Sequence, residues 1–376
     1  MQTQSIPILI FAQSGRFLAQ SATQAGYSVW VADCYGDADL LAVADRWRVI
    51  PSFTKLTHDT IFTALSELTG GEQCMLVCGS GIELCYHLLL PLPANIQLVG
   101  NIPDIIQVIK NPILFSDLLS QHAFNFPDTQ FEAPNDDLIW LKKQVTGTGG
   151  SHIEYATSNT KQIDDGFYYQ RFISGSCGSC LFLADGRDAH LVSINQQHLA
   201  PTQQSPFRLG RIESVWQLPQ YHCVYLRKVV NQLSAATSLV GLNSLDFVIS
   251  DKNELFILEI NPRISASAEL IRNQAALFQQ HINACLGQLP SLPSLNSACR
   301  SLFYHYAATN LVVPDNMRWP TECHDLPIAG SIIKQGEPIC TSQVEPDENN
   351  LATQLHFVVE QIILKQLMPY QNISTP

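Results

Sequence analysis

The sequence predicts an α/β unit with a parallel sheet followed by a longer α+β region in which antiparallel strands dominate. Three observations predict it. Through the first hundred residues, short apolar runs alternate with helical stretches, the pattern of parallel strands joined by crossover helices. From about residue 138 to 260 the apolar runs are instead separated by hairpin signals. A hydrophobic content of 46% against 14% charged residues, over 376 residues, gives enough apolar material for two or three buried cores and argues against disorder.

Taken in order, residues 6–12 form an apolar run followed by Ser14-Gly15-Arg16 and a helix through Ala25. Tyr27–Ala32 is a second strand ending at Asp33, and Cys74–Cys78 a third ending at Gly79-Ser80-Gly81. A dinucleotide-binding unit would set Asp33 on a ribose. Only Gly15 stands where such a turn needs three glycines, so tight NAD binding is not expected. Leu90-Pro-Leu-Pro93 leads out of this unit, which sets a first domain at residues 1–100. A helix from Pro112 to Gln121 stops before Phe126-Pro127. Leu138–Lys143 is a strand that runs into a glycine-rich loop carrying Gly147, Gly149 and Gly150 before Ile153. Phe167–Ile173 is another strand, ending in the small, polar Ser174–Ser179, and Asp185-Gly186 turns a hairpin between Cys180–Ala184 and Ala189–Val192. His222–Ala236 and Ala266–Leu286 are helical. After Pro290-Ser-Leu-Pro293 the composition changes, and residues 291–376 are expected to be a small β-rich unit closed by the helix Leu351–Leu367.

The segment from Asn243 to Arg263 carries the chemistry. Residues 245–250 and 254–260 are apolar strands around Asp, Lys and Asn. With Lys252-Asn253 as a two-residue loop, Asp246 lies opposite Glu259, and alternation sends Glu259 and Asn261 toward Asp246. Facing carboxylates need a cation between them. An all-oxygen set suits Mg²⁺ rather than zinc or copper. An exposed hairpin with solvated acids is the alternative.

A net charge of −12 excludes nucleic acid and anionic membrane as partners, though not a nucleotide held by local lysines. The first residues lack a basic n-region and no apolar run spans a bilayer, so a cytoplasmic location is expected. Eleven cysteines without a regular spacing are expected as thiols, and Cys177-Gly-Ser-Cys180 stands without a second pair.

A lysine-ended strand with a glycine loop, then Gln170-Arg171-Phe172-Ile173, then Asp246-Phe, then Glu259-Ile-Asn261-Pro-Arg263: this order resembles the ATP-grasp ligases. The resemblance implies a nucleotide held between two α+β lobes over residues 101–290, behind a Rossmann-like domain. It implies that Lys143 contacts the phosphates, with Lys142 as rival, and that Lys110 is an earlier phosphate lysine. Gly147, Gly149 and Gly150 would close over the phosphates. Backbone groups of Arg171 and Ile173, in the strand Gln170–Ile173 that includes Phe172, would read the adenine. Asp246, Glu259 and Asn261 would hold one or two Mg²⁺, and Arg263 would face an acyl phosphate. The implied activity is ADP-forming amide synthesis from a small carboxylate and an amine. Ser14-Gly-Arg16-Phe-Leu-Ala, Ala25-Gly-Tyr and Asp33-Cys-Tyr-Gly-Asp37 resemble a branch of predicted carboligases of methylotrophs and methanogens, found beside genes for tetrahydromethanopterin and methanofuran synthesis. That branch implies work on a one-carbon carrier cofactor, with an amino acid such as glutamate as one substrate. Arg208, Arg211 and His198 are candidates for the acceptor region, or surface loop residues. Ala329-Gly-Ser-Ile and Gly336–Thr341 resemble the small C-terminal domain of the carboxyaminoimidazole ribonucleotide synthetase branch, which activates bicarbonate. A catalytically silent nucleotide-binding subunit is a third reading. Dimers are frequent among such enzymes, which leaves a homodimer open.

Overall fold

In the computed structural model, which describes residues 6–145, 147, 149–150, 152–156, 166–289, 299–346 and 351–370, the chain opens with the expected α/β unit. Strands β1 (Ile8–Phe11), β2 (Val29–Asp33), β3 (Arg46–Val49), β4 (Cys74–Cys78) and β5 (Ile96–Leu98) form a sheet in the order β3-β2-β1-β4-β5. Every neighbouring pair is parallel. β1 is buried along its whole length, as a strand covered on both faces must be. Ile8 and Ile10 enter one core and Leu9 and Phe11 the other. The sequence did not suggest β3, because Arg46-Trp-Arg-Val49 lies at the sheet edge, where charged side chains are tolerated. Asp33 accepts the N–H groups of Gly15 (3.2 Å) and Gly36 (3.0 Å), so its carboxylate holds its own loops.

The antiparallel region splits into two sheets. β6 (Thr129–Gln130), β7 (Trp140–Gln144), β8 (Ile153–Tyr155) and β9 (Phe167–Arg171) make a small sheet ordered β6-β9-β7-β8. The larger one uses β10 (Gly175–Asp185), β11 (Ala189–Leu199), β12 (Leu209–Ser214), β13 (Val240–Ser250), β14 (Leu255–Asn261) and β15 (Arg300–Tyr306). With β16 (Leu311–Val312) and β18 (Ile332–Ile333) set apart as a pair, β17 (Cys323–His324) and β19 (Pro338–Val344) complete it. Its order is β14-β13-β10-β11-β12-β15-β19-β17, so the segment after residue 299 extends the sheet that carries Asp246.

Two expectations need correction. Residues 175–179, read as a small polar loop, begin β10 and pair with β13 along their whole length. Their smallness serves packing. A Cβ at Gly178 would meet Trp216 at 2.5 Å and Phe247 at 2.8 Å, two rings stacked 5.9 Å apart over that position. The helix expected over 266–286 is a 3₁₀ turn, Ala266–Leu270, and a separate helix, Gln274–Cys285. The Asn273 side chain caps the second piece by accepting from the Ala276 N–H, which starts a new helix there.

Helices Pro103–Lys110, Pro112–Gln121 and Gln220–Thr237 cover one face of the large sheet. The other face packs Leu181, Leu183 and Leu242 against Ile8, Ile10 and Phe278, so the first unit and the acid-bearing sheet share a core. Helix Ala352–Leu367 closes the far end. Among the described residues no helix is long and apolar enough to cross a membrane. The Pro290–Pro293 connection, and residues 146, 148 and 151 of the glycine loop, lie outside the described residues.

Candidate functional site

The acid hairpin reaches its expected pairing by an unexpected route. Its loop has three residues, Asp251–Asn253, with Asn253 in the left-handed region (φ 62°) and its N–H bonded to the Ser250 carbonyl at 2.8 Å. Asn tolerates that conformation, so the expected two-residue turn gives way. The register near the turn is therefore one residue off, with Ile249 opposite Leu255 and Phe247 opposite Ile257. An irregularity between Asp246 and Phe247 leaves Leu258 as the extra residue and restores the pairing of Asp246 with Glu259 and Ser244 with Asn261.

Directly paired residues share a face, so Glu259, Asp246, Ser179 and Asn195 form a polar row across the sheet. Asn261 Nδ2 donates to Asp246 Oδ2 at 3.1 Å, and Gln197 Nε2 to Asp246 Oδ1 at 3.2 Å. Burial and the neighbouring Glu259 raise the Asp246 carboxyl to about 7. Burial acts on Glu259 in the same direction, but the Lys110 and Lys143 ammoniums overcome it and hold that carboxyl at about 2. Lys110 ends helix Pro103–Lys110 and places Nζ 2.9 Å from Glu259 Oε2. Lys143 is 7% exposed; burial lowers its pKa, and its Nζ donates to Gln170 Oε1 at 2.8 Å. Lys142, one residue earlier, lies on the other face of β7, against the Phe167 ring (4.2 Å) and Glu154 (3.8 Å). The acids fit a divalent cation: the donors are oxygens, the carboxylates repel each other, and a half-turn of the Asn261 amide would add a third oxygen.

A pocket opens beside these groups, bounded by Lys110, Phe115, Gly147, Tyr168, Gln170 and Glu259. Gly150 (φ 77°) rests against the chain at Phe207, where an added Cβ would lie 2.2 Å from the carbonyl oxygen. A Cβ at Gly147 would enter the His152 ring. Close approach therefore requires glycine at both positions, while Gly149 (φ 67°) has open space around it. Along the strand end, the Arg171 N–H donates to Asp128 (2.8 Å) and the Phe172 N–H to Ile139 (2.9 Å). Neither the Arg171 carbonyl nor the Ile173 N–H takes part in the loop hydrogen bonds of the described residues.

Arg263 donates through Nε to Glu83 Oε1 at 2.8 Å, and Glu83 Oε2 has no partner among the described residues. Buried Asn101 fixes the exit of β14: its amide donates to Asn243 (2.8 Å) and to the Pro262 carbonyl (2.9 Å). Sequence reasoning missed Glu83, Gln197 and Asn101. The available signal for Glu83 was Gly79-Ser80-Gly81, since ligands of open α/β sheets gather at the carboxyl ends of strands. The signal for Gln197 was alternation along β11.

Two of the acceptor candidates, Arg211 and His198, do not join this site. Arg211 pairs with His198 in register, one residue out of phase with Gln197, and so stands on the opposite face from Asp246. There Arg211 meets His198 at 2.9 Å and both contact Glu213. Arg208 instead follows Phe207, against which Gly150 rests, and lies over the Tyr306 ring at 3.9 Å. Cys177 and Cys180 are three apart on a strand and face opposite ways, so they do not act as a joint pair of thiols.

Residues 109–267 match the family model described as the ATP-grasp domain. An uncharacterized protein of Methanocaldococcus jannaschii is 22% identical over 90% of this chain and 88% of its own length. Among solved structures, biotin carboxylase from Campylobacter jejuni is similar at a TM-score of 0.72, with 13% identity over 98% of this chain and 92% of that one. N5-carboxyaminoimidazole ribonucleotide synthetase from Thermotoga maritima gives 0.64 at 13% identity over 95% and 98%. L-amino acid ligase from Bacillus licheniformis gives 0.68 at 12% over 97% and 98%.

Proposed function

We propose that this chain, which has the ATP-grasp fold, is an ATP-dependent carboxylate–amine ligase that works through an acyl phosphate. One observation carries the reading: Lys110, Lys143, Asp246, Glu259 and Asn261 converge from three separate segments of the chain, with Lys110 and Glu259 lining a pocket. Phosphoryl transfer needs positioning and charge neutralisation more than covalent help, and this set offers both. Adenine would lie along the Arg171 carbonyl and Ile173 N–H, with Phe172 and Gln170 forming the wall. Lys143 and Lys110 would face the phosphates, and Gly147, Gly149 and Gly150 would close over them. Mg²⁺, one ion or two, held by Asp246, Glu259 and Asn261, would neutralise phosphate charge. The substrate carboxylate attacks the γ-phosphorus, ADP departs, and an amine then displaces phosphate to form the amide. Arg263, oriented by Glu83, would stabilise the acyl phosphate. Closure of the glycine loop would exclude water from it.

On this reading residues 1–100, 101–290 and 291–376 act as three domains of a cytoplasmic enzyme with small-molecule substrates. The relative in Methanocaldococcus jannaschii supports a place in the methanogen-associated branch, for which synthesis of a one-carbon carrier cofactor is the role proposed. Phosphate release with Mg²⁺ and ATP, across amino acids, pterin and furan precursors and bicarbonate, tests the proposal. Release with one acid–amine pair is expected. Release with bicarbonate alone would replace the ligase with a carboxyphosphate-forming enzyme. ATP binding without turnover on any substrate would favour a silent subunit.

A further inference from the structure

Far from the acids, on the opposite face of the large sheet, β15 meets the closing helix. His305, on β15, is 3% exposed and pairs in register with Cys340. His356 and Glu360 are four residues apart on helix Ala352–Leu367, hence on one side of it. One donor atom from each of the three lies within 4.8 Å of the other two. His305 Nε2 shares a hydrogen bond with Ser342 Oγ at 2.8 Å. The Nδ1 atoms of His305 and His356 are buried and have no partner among the described residues. A metal-binding imidazole is built this way, with one nitrogen fixed by a neighbour and the other bare.

We infer that His305, His356 and Glu360 form a zinc-type metal site that fastens the closing helix to the large sheet. Two imidazoles and a carboxylate suit zinc and similar first-row ions, with bonds of about 2.0–2.2 Å that would draw the three donors together. The nearby Arg211 charge is met by Glu213 at 3.2 Å. Ring packing alone, His356 stacked on Phe303 at 3.9 Å, accounts for where that ring sits. It does not account for the bare nitrogens or for the Glu360 carboxylate gathered close to both rings.

The test uses the full-length protein stripped of metal, with Zn²⁺ titrated against a chromophoric chelator and Co²⁺ used as a spectroscopic substitute. One tight Zn²⁺ per chain is expected. His356→Phe, which preserves the ring stack on Phe303, and Glu360→Gln, on a partly exposed helix face, should each lose it along with the Co²⁺ absorption. Ser342→Ala should weaken it by about 10–100-fold. Glu259→Gln, in the other oxygen-rich site, should retain it. Equal Zn²⁺ binding by the wild type, His356→Phe and Glu360→Gln would overturn the inference, as would no binding by the wild type, or loss confined to Glu259→Gln.

Discussion

Breaking the Glu83–Arg263 pair one side at a time should cost more than its two single losses can share in a double variant. The Nε–Oε1 distance is 2.8 Å, and the side chains are 1% and 14% exposed, so water screens the pair little. At an effective dielectric of about 20, two unit charges at that separation attract by about 6 kcal/mol. Desolvation offsets part of this, and removing one partner of a buried pair typically costs about 3–5 kcal/mol. The two sides should not be equal. Arg263→Gln leaves a carboxylate that is 1% exposed, one of whose oxygens already lacks a partner among the described residues, and belongs at the upper end of that range. Glu83→Gln leaves a guanidinium with more solvent contact and the Ile264 carbonyl at 3.4 Å, and belongs at the lower end. The double variant sets two amides side by side, free to bond each other, and should lose at least about 2 kcal/mol less than the sum. Urea unfolding of the four proteins, read by two probes to check for a single transition, measures the coupling. Additivity within about 0.5 kcal/mol would refute the reasoning, because the charges would then not be acting on each other.

Glu259→Gln removes a charge and almost no volume, so it should abolish ADP formation with the fold intact; near-normal turnover would sink the metal assignment. Lys143→Met should weaken ATP binding strongly and Lys142→Met little, since only Lys143 faces Glu259, and calorimetric titration giving the reverse order would contradict the faces described. Asp37 is 5% exposed with Oδ2 unpartnered among the described residues, and burial, reinforced by Asp325, Asp33 and Asp39, raises its carboxyl to about 8. A raised carboxyl favours the fold while protonated, so that contribution is full below about pH 4 and is lost as pH rises through 8. Asp37→Asn should therefore gain on the wild type in melting temperature between about pH 5 and pH 8.5, and a gap that stays constant or shrinks would show that Asp37 is not protonated in the fold.

How much of this was legible in the sequence varies by the range of the interaction. Strand periodicity and the carboxylate-bearing hairpin are local, and both were readable. The facing of Asp246 and Glu259 was reached from a two-residue turn, whereas the molecule uses three residues and an extra one at Leu258; the two departures cancel at the acids. The choice between Lys142 and Lys143 depends on which face of β7 meets β14, a fact of tertiary packing. So does Glu83, which meets Arg263 across 180 residues of chain. Arg211 and His198 looked suited to an acceptor because they are polar and near the acids in order. The register of β11 on β12 turns them the other way. Residues 175–179 looked like a loop because glycine and serine lack strand preference, but pairing along β13 and two large rings overhead decide their conformation.

The large sheet also constrains any attempt to reduce the protein to its reactive half. A fragment ending near residue 290 would keep every residue proposed to handle ATP. It would also leave β12 with a free edge where β15 now pairs through Ser214–Arg300 to Arg211–Phe303. An uncovered edge strand is a template for addition of further chains. The last quarter of the sequence thus protects the rest from self-association, and a miniaturised version would need a replacement strand before it needed any change at the acids.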